Sequence, residues 1–333
     1  MKRLDRSLVF ATEVLEPLVP LAQAAEAAGF RRVWTTEFTG RDAVIRALAI
    51  GLATESIGVG TGIAYAFTRP SLAMADQAMD VQRLLDGRLT LGLGTGTRGV
   101  RRRYGVEFDP AATRFEEYVR ELRDAWEGIR TPGLPEAPPV YGAGLNPAML
   151  RAVGRSSDGV VLHPLAIART HLHERVMPSI RTGVETARSR GVERSCKVAM
   201  WCIASIDSDE EAARSRSRRQ LAFYLSTPSY KPVLEGGPWV TVADDVQAAF
   251  AEAKPRIDWR KLEHLIPDEL VDELTITGTP GSVAAKARAL ESELAEAGID
   301  EMVFQTVGIE ISDDEVVRNC EAIVAALGTA VTV

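Results

Sequence analysis

Covalent and metal scaffolding is nearly absent from this chain. Three of its 333 residues are cysteine, Cys196, Cys202 and Cys320. They are odd in number and widely spread, which fits neither a disulfide framework nor a zinc-ligand spacing. Histidine is scarce too, at four. His171-x-His173 looks like a metal pair, but side chains two apart on a helix diverge, and His264 reads as part of a polar helix face. No stretch nears the roughly 18 uninterrupted apolar residues of a membrane span. Met1-Lys-Arg-Leu-Asp-Arg6 opens onto no long apolar run, so no signal peptide is expected. Positive charge is in deficit, 39 Lys and Arg against 46 Asp and Glu for a net charge of -7, which argues against a nucleic-acid partner. The expectation is a reduced, cytoplasmic chain that meets neither membrane nor nucleic acid and takes a small-molecule substrate.

What the chain does have is alternation. Short apolar, β-rich runs fall at 7–11, 32–36, 57–63, 88–93, 139–143, 158–163, 197–205 and 301–306. Helical patterns follow them at 15–28, 42–54, 71–85, 112–127, 146–154, within 166–190, and at 209–225 behind the box Ser208-x-x-Glu211. A second box, Ser312-x-x-Glu315, starts the last helix. Eight strands, each leading into a helix, predict an α/β protein of the (β/α)8 TIM-barrel type. The runs are apolar rather than alternating, as parallel strands covered on both faces should be. One domain over 1–333 is expected. The proline- and glycine-rich stretch 226–277 breaks the repeat and reads as an insertion after the seventh strand–helix unit, either a cover for the active face or a dimer surface.

The run Arg88-Leu-Thr-Leu-Gly-Leu-Gly-Thr-Gly-Thr-Arg-Gly99 carries four glycines in eight residues, which lets a backbone approach something bulky. Its Gly94-x-Gly96-x-x-Gly99 spelling matches the dinucleotide fingerprint. That motif should follow the first strand of a βαβ unit, with an acid some 20 positions on ending the second. Here it follows the fourth strand, and Glu116 and Glu117 lie inside a helical pattern. A Rossmann reading is therefore rejected. Barrel sites form where strands end: at Glu37-Phe38, Gly62-Ile63-Ala64, Gly94-Thr95-Gly96-Thr97, Ala143-Gly144-Leu145-Asn146, His163, Trp201-Cys202 and Gln305-Thr306. This set holds no Schiff-base lysine and no carboxylate cluster for magnesium. It suits a large planar cofactor that brings its own chemistry. Arg98 and Arg101 to Arg103 border the glycine turn, as a solvated face or a rim for an anion.

At these residues the chain resembles the bacterial luciferase-like superfamily of flavin- and deazaflavin-dependent oxidoreductases. The resemblance is carried by Ala27-Ala-Gly-Phe-Arg-Arg-Val-Trp-Thr-Thr-Glu37, Ile57-Gly-Val-Gly-Thr-Gly-Ile-Ala64 with Thr68-Arg-Pro70, and Asp86-Gly-Arg-Leu-Thr-Leu-Gly-Leu-Gly-Thr-Gly96. Phe115-Glu-Glu-Tyr-Val, Asn146-Pro-x-Met-Leu, Ser157-Asp-Gly159, Thr277-Gly-Thr-Pro280 and Ala297-Gly-Ile-Asp300 extend it over nearly the whole chain. Within the superfamily it is most similar to the coenzyme F420 branch, which includes methylenetetrahydromethanopterin reductase-like proteins. The resemblance implies a cis Gly62–Ile63 peptide, with Gly62, Ile63 and Ala64 backing the deazaflavin ring. Gly94, Thr95, Gly96 and Thr97 would line the pocket beside it, and Ala143, Gly144, Leu145 and Asn146 would hold the phosphate-bearing tail. Glu37 falls at an acidic position near ring or substrate, and His163 is the candidate proton donor or substrate contact. A homodimer is implied as well. Two departures matter: Glu37-Phe38 stands where many relatives have Asp-His, and Thr97 where they have an acid. Sugar-phosphate dehydrogenation is accordingly not expected.

The leading expectation is an F420-dependent oxidoreductase that passes a hydride between reduced deazaflavin C5 and an electrophilic C=C or C=N carbon. An FMN-dependent monooxygenase is the first alternative. A cofactor-free barrel serving as a binding protein is the second.

Overall fold

The computed structural model describes residues 3–10, 12–13, 15–106, 110–129 and 132–329. Its strands are β1 (Asp5–Phe10), β2 (Arg32–Thr35), β3 (Gly58–Thr61), β4 (Ala64–Tyr65), β5 (Leu89–Gly94), β6 (Val140–Gly144), β7 (Gly159–Leu162), β8 (Lys197–Ile206), β9 (Thr275–Gly278) and β10 (Glu301–Thr306). Their order is β10-β1-β2-β3-β5-β6-β7-β8-β9, with a further β10–β8 pairing and β4 beside β5. This is the topology of a (β/α)8 TIM barrel, as the alternation predicts. Each of the eight expected runs holds a strand; Ala11, the end expected for the first, lies outside the described residues. Among the described residues no helix is long and apolar enough to cross a membrane.

The chain forms two compact units, one of Met1–Phe30, His163–Arg175 and Met200–Val333, the other of Arg31–Leu162 and Val176–Ala199. In the second unit β2 to β7 run parallel, with Trp34 opposite Gly60 and Gly142 opposite Val160. The helix Ala111–Gly128 buries Phe115, Tyr118, Leu122 and Trp126 at helical spacing, each worth roughly 1.5–3 kcal/mol. Its Trp126 indole donates to the Ala75 carbonyl at 3.0 Å. The third expected strand, 57–63, holds β3 and breaks off at Thr61, and the chain rejoins the sheet as β4 just past the expected end. Residue 59 pairs with 89, but Ala64 pairs with Leu93, so the offset falls from 30 to 29. One extra residue is thus bulged out at Gly62–Ile63, and such a slip re-aims the side chains beyond it.

The other unit pairs β1 with β10 from Asp5–Glu301 to Val9–Gln305. Asn319, on the helix Asp313–Leu327, is buried against the outside of this sheet. Its amide donates to the Ala204 carbonyl at 2.9 Å and to Thr306 Oγ1 at 2.6 Å, and its Oδ1 accepts from Ile206 N at 2.8 Å. The capping box at Ser312 and Glu315 forms as spelled. The box expected at Ser208 does not: Asp209 caps the helix Glu210–Leu225 by accepting from Glu211 N and Ala212 N. A carboxylate one residue on reaches the same orphan donors. Residues 226–277 hold helices Val240–Ala253 and Asp268–Leu274, short 3₁₀ turns and all but the last residue of β9. Their aromatic cluster stacks Phe250 on Trp259 at 5.5 Å and sets Trp259 edge-on to Phe223 at 5.4 Å.

Candidate active site

In the unit containing β2 to β7, the Gly62–Ile63 peptide is cis, as the resemblance implies. Gly62 N donates to the Thr35 carbonyl at 2.7 Å, and Glu37 N donates to the Ile63 carbonyl at 3.2 Å. The Ile63 side chain is half-buried. Its Cδ1 occupies the space a Cβ on Gly94 would take. One bulky group admitted by the glycine-rich turn is therefore the protein's own isoleucine. Gly92 works the same way for Thr61, whose carbonyl oxygen a Cβ would overlap. The Thr61 hydroxyl donates to the Gly92 carbonyl at 2.7 Å and accepts from Gly92 N at 2.9 Å. That side chain continues the ladder where the bulge interrupts it.

Thr95 and Gly96 are half-buried and Thr97 is exposed. Thr97 Oγ1 accepts from Val100 N at 3.4 Å and caps the helix Arg98–Tyr104. That helix, which the sequence presents only as a charge run, has no buried residue. Ala143, Gly144 and Leu145 are half-buried at the end of β6. Asn146 Oδ1 accepts from Met149 N at 3.0 Å and caps the helix Pro147–Ser156. Pro147 has no N–H and Met149 N is taken, so this turn offers an anion fewer donors than its glycines suggest.

Glu37 is 8% exposed. Its Oε1 and Oε2 accept from Arg69 Nη1 at 3.0 and 3.2 Å, and Arg69 Nη2 donates to Asp42 Oδ2 at 2.6 Å. Burial pushes the Glu37 carboxyl above its usual range, with Arg69 opposing it. Burial also works against the Arg69 guanidinium, but Glu37 and Asp42 together raise it. Arg69 is the arginine of Thr68-Arg-Pro70. The motif was visible in the sequence, but its partner 32 residues away was not.

His163 lies in the other unit, half-buried. Its Nδ1 accepts from Leu165 N at 3.2 Å, which leaves the ring proton on Nε2. The ring meets Tyr224 at 4.5 Å and 72° and Tyr230 at 4.4 Å and 35°. Enclosure by these groups pushes its pKa down to about 3, so the imidazole is neutral at physiological pH. Tyr224 Oη accepts from Gln305 Nε2 at 2.6 Å, while Gln305 Oε1 and Trp201 Nε1 are buried without partners. Burial raises the Tyr224 hydroxyl and the Cys202 thiol, which keeps both protonated. Tyr224 and Tyr230 carry no motif, and only the fold brings them to the histidine.

A cavity of about 870 Å³ lies elsewhere, beneath the loop leading into β6 and against Met79, Trp126 and Leu134. It contains none of the candidate residues. Among the described residues no three His, Cys, Asp or Glu side chains cluster to hold a metal.

A parallel barrel fold with a glycine-seated bulge and almost no acid–base groups at its strand ends defines a class of proteins that work through a bound organic cofactor. The chain belongs to the luciferase-like monooxygenase family, whose model matches residues 4–300, and it is an oxidoreductase. It is 31% identical over 300 residues to an uncharacterized protein of Mycobacterium tuberculosis, covering 80% of this chain and 86% of that one. It is 26% identical over 301 residues to the 5,10-methylenetetrahydromethanopterin reductase of Methanolobus tindarius, covering 85% and 87%. The coenzyme F420-dependent tetrahydromethanopterin reductase of Methanopyrus kandleri shares the fold, with TM-score 0.73 and 19% identity over 97% of this chain and 98% of that one.

Proposed function

We propose that the protein is an F420-dependent oxidoreductase acting on a small organic substrate with an electrophilic C=C or C=N carbon. One observation carries the reading: the half-buried Ile63, presented on a one-residue bulge and seated where Gly94 lacks a Cβ. A branched apolar side chain held at that point suits the face of a planar ring. Gly62, Ile63 and Ala64 would back the ring, Gly94 to Thr97 would line its edge, and Ala143 to Asn146 would hold the tail, with Arg98 and Arg101 to Arg103 as a basic rim. When bound, the deazaflavin would supply the hydride from C5. Of the two candidate catalytic residues, His163 is the one proposed to touch the substrate, while Glu37, paired with Arg69, serves the seat of the ring. His163 would act as a neutral donor through Nε2–H to a polar atom of the substrate. A histidine with a pKa near 3 holds no second proton at neutral pH to give away, so the transferred proton comes from water. Tyr230 on the 226–277 segment packs on His163, which supports that segment as the part that shapes substrate access. The reading carries a homodimer and a cytoplasmic setting with it.

The test is parallel titration of the apo protein with F420 and with FMN, followed by tryptophan quenching. Tight F420 and weak FMN binding is the expected result. The reverse would move the protein to the FMN-dependent monooxygenase reading, and binding of neither would leave the cofactor-free barrel.

A further inference from the structure

We infer that Glu37 and Arg69 are a positioning pair that fixes the place of the Gly62–Tyr65 bulge, and through it the seat of the cofactor ring. The inference rests on the reading above only in taking that bulge as the seat. Glu37 grips the bulge from both sides. Its backbone N donates to the Ile63 carbonyl at 3.2 Å, and its carboxylate accepts from the Tyr65 N–H. The same carboxylate is held on both oxygens by Arg69 Nη1. Only 4% of the Glu37 side chain is exposed. With its oxygens so occupied, the group is poorly placed to take a proton from a substrate. Its chemistry is spent on holding backbone.

Arg69 is anchored in turn. Its second nitrogen donates to Asp42 Oδ2 at 2.6 Å, and its carbonyl accepts from Tyr118 Oη at 3.0 Å. Asp42 Oδ1 accepts from Val44 N and Ile45 N at 2.9 Å each, capping the helix Ala43–Leu52. The end of β2 and the start of that helix meet at the Arg69 guanidinium, and the face of the helix Ala111–Gly128 meets the same residue at its backbone carbonyl, in the lead into the helix Ser71–Leu84. At the bulge the ladder to β5 is interrupted, between Gly60–Thr90 and Ala64–Leu93. Toward β2 the bulge is held by the backbone bonds Gly62 N to Thr35 O and Glu37 N to Ile63 O; toward β5, where the ladder is broken, side-chain bonds add to its hold. Neutralising Glu37 should loosen it without disturbing the neighbouring strands.

The experiment compares wild type with Glu37→Gln, Arg69→Met and the double variant. Glutamine keeps an acceptor for the Tyr65 N–H and removes the ion pair. The first readout is hydrogen–deuterium exchange of the apo protein. Exchange over 62–65 is expected to rise about tenfold in each single variant and no further in the double, while the helix Asp313–Leu327 stays unchanged. Unchanged exchange in a folded Glu37→Gln protein would overturn the inference. The second readout is the F420 dissociation constant, expected to weaken about tenfold in each single variant and by a similar factor in the double. Effects that multiply toward a hundredfold would mean two independent ligand contacts and would also overturn it. Arg69→Lys should restore part of the binding. If Glu37→Gln fails to fold, Asp42→Asn takes its place: asparagine still caps the helix but weakens the hold on Arg69, and a smaller rise over the same amides is expected, its absence counting against the pair. Exchange that rises in a protein binding neither F420 nor FMN would keep the pair and discard the functional reading. Tight F420 binding with unmoved exchange would do the opposite.

Discussion

His163 offers a quantitative test, because its protonation is coupled to folding. In the unfolded chain the imidazole titrates near 6.5; in the folded protein its pKa is pushed down to about 3 by burial. Between those values the unfolded state binds more protons, so stability is full above pH 6.5 and falls as the pH drops through the window. Each pKa unit corresponds to about 1.4 kcal/mol. The loss from pH 7 to pH 5 is then about 1.9 kcal/mol, an upper bound because the ring keeps part of its surface open. His163→Asn removes the titrating group, and its Oδ1 is placed to keep the bond from Leu165 N that Nδ1 now accepts. Urea unfolding of both proteins at pH 5, 6 and 7 measures the difference. With an m-value of about 3 kcal/mol/M the wild-type midpoint should move down roughly 0.6 M more than that of the variant. The chain has four histidines, so the resonance lost in His163→Asn is assignable, and in wild type it should not titrate above pH 5. Identical pH dependence of the two proteins, or a His163 resonance titrating near 6.5, would refute the neutral, enclosed imidazole and with it the assignment of the proton to water.

Two glycine substitutions separate packing from ligand binding. Gly94→Ala meets Ile63 Cδ1 first, with Cγ1 at 3.1 Å and Cβ at 3.4 Å behind it, so the side chain must turn and its backbone give slightly; melting should fall by a few degrees, while F420 affinity drops about tenfold as the seat tilts. Gly92→Ala meets the Thr61 backbone oxygen, cannot be relieved by a rotamer, and should cost about 3 kcal/mol or more, read as loss of soluble protein. Asn319→Ala leaves the Ala204 carbonyl, the Ile206 N–H and Thr306 Oγ1 without their buried partner. At about 1–3 kcal/mol for each unsatisfied group, a loss of about 3 kcal/mol or more is expected in chemical denaturation, with cofactor affinity unchanged in the protein that remains folded.

The strands were legible because a parallel strand buried on both faces must be apolar throughout, and Leu89 to Leu93 or Gly159 to Leu162 has no other use for such a run. The bulge was legible through family resemblance alone. In spelling, 57–63 is one strand, and only the register against β5 reveals the slipped residue. β9 leaves no such mark in the sequence, because Thr275–Gly278 is four residues long and sits at the edge of a proline-rich stretch. The glycines of 92–96 spell out space, but part of that space is filled by Thr61 and Ile63, which local sequence cannot show. The same holds for charge. Glu37 stood out as an acid at a strand end, yet its meaning depends on an arginine 32 positions away that only the pairing of β2 with β3 brings alongside. His163 is the converse case: its position was evident, and its neutrality depends on two tyrosines that no motif marks.

The aromatic stack that holds the 226–277 segment has a practical consequence. Trp259, Phe250 and Phe223 anchor one part of the segment, while Tyr230, on the turn Pro228–Leu234, reaches His163. Anchor and fingertip are different residues. A designer can therefore redraw the turn around Tyr230, changing the shape and polarity presented to the histidine, while the stack keeps the segment docked and the strand ladders keep their register. The molecule supplies its own handle for retargeting.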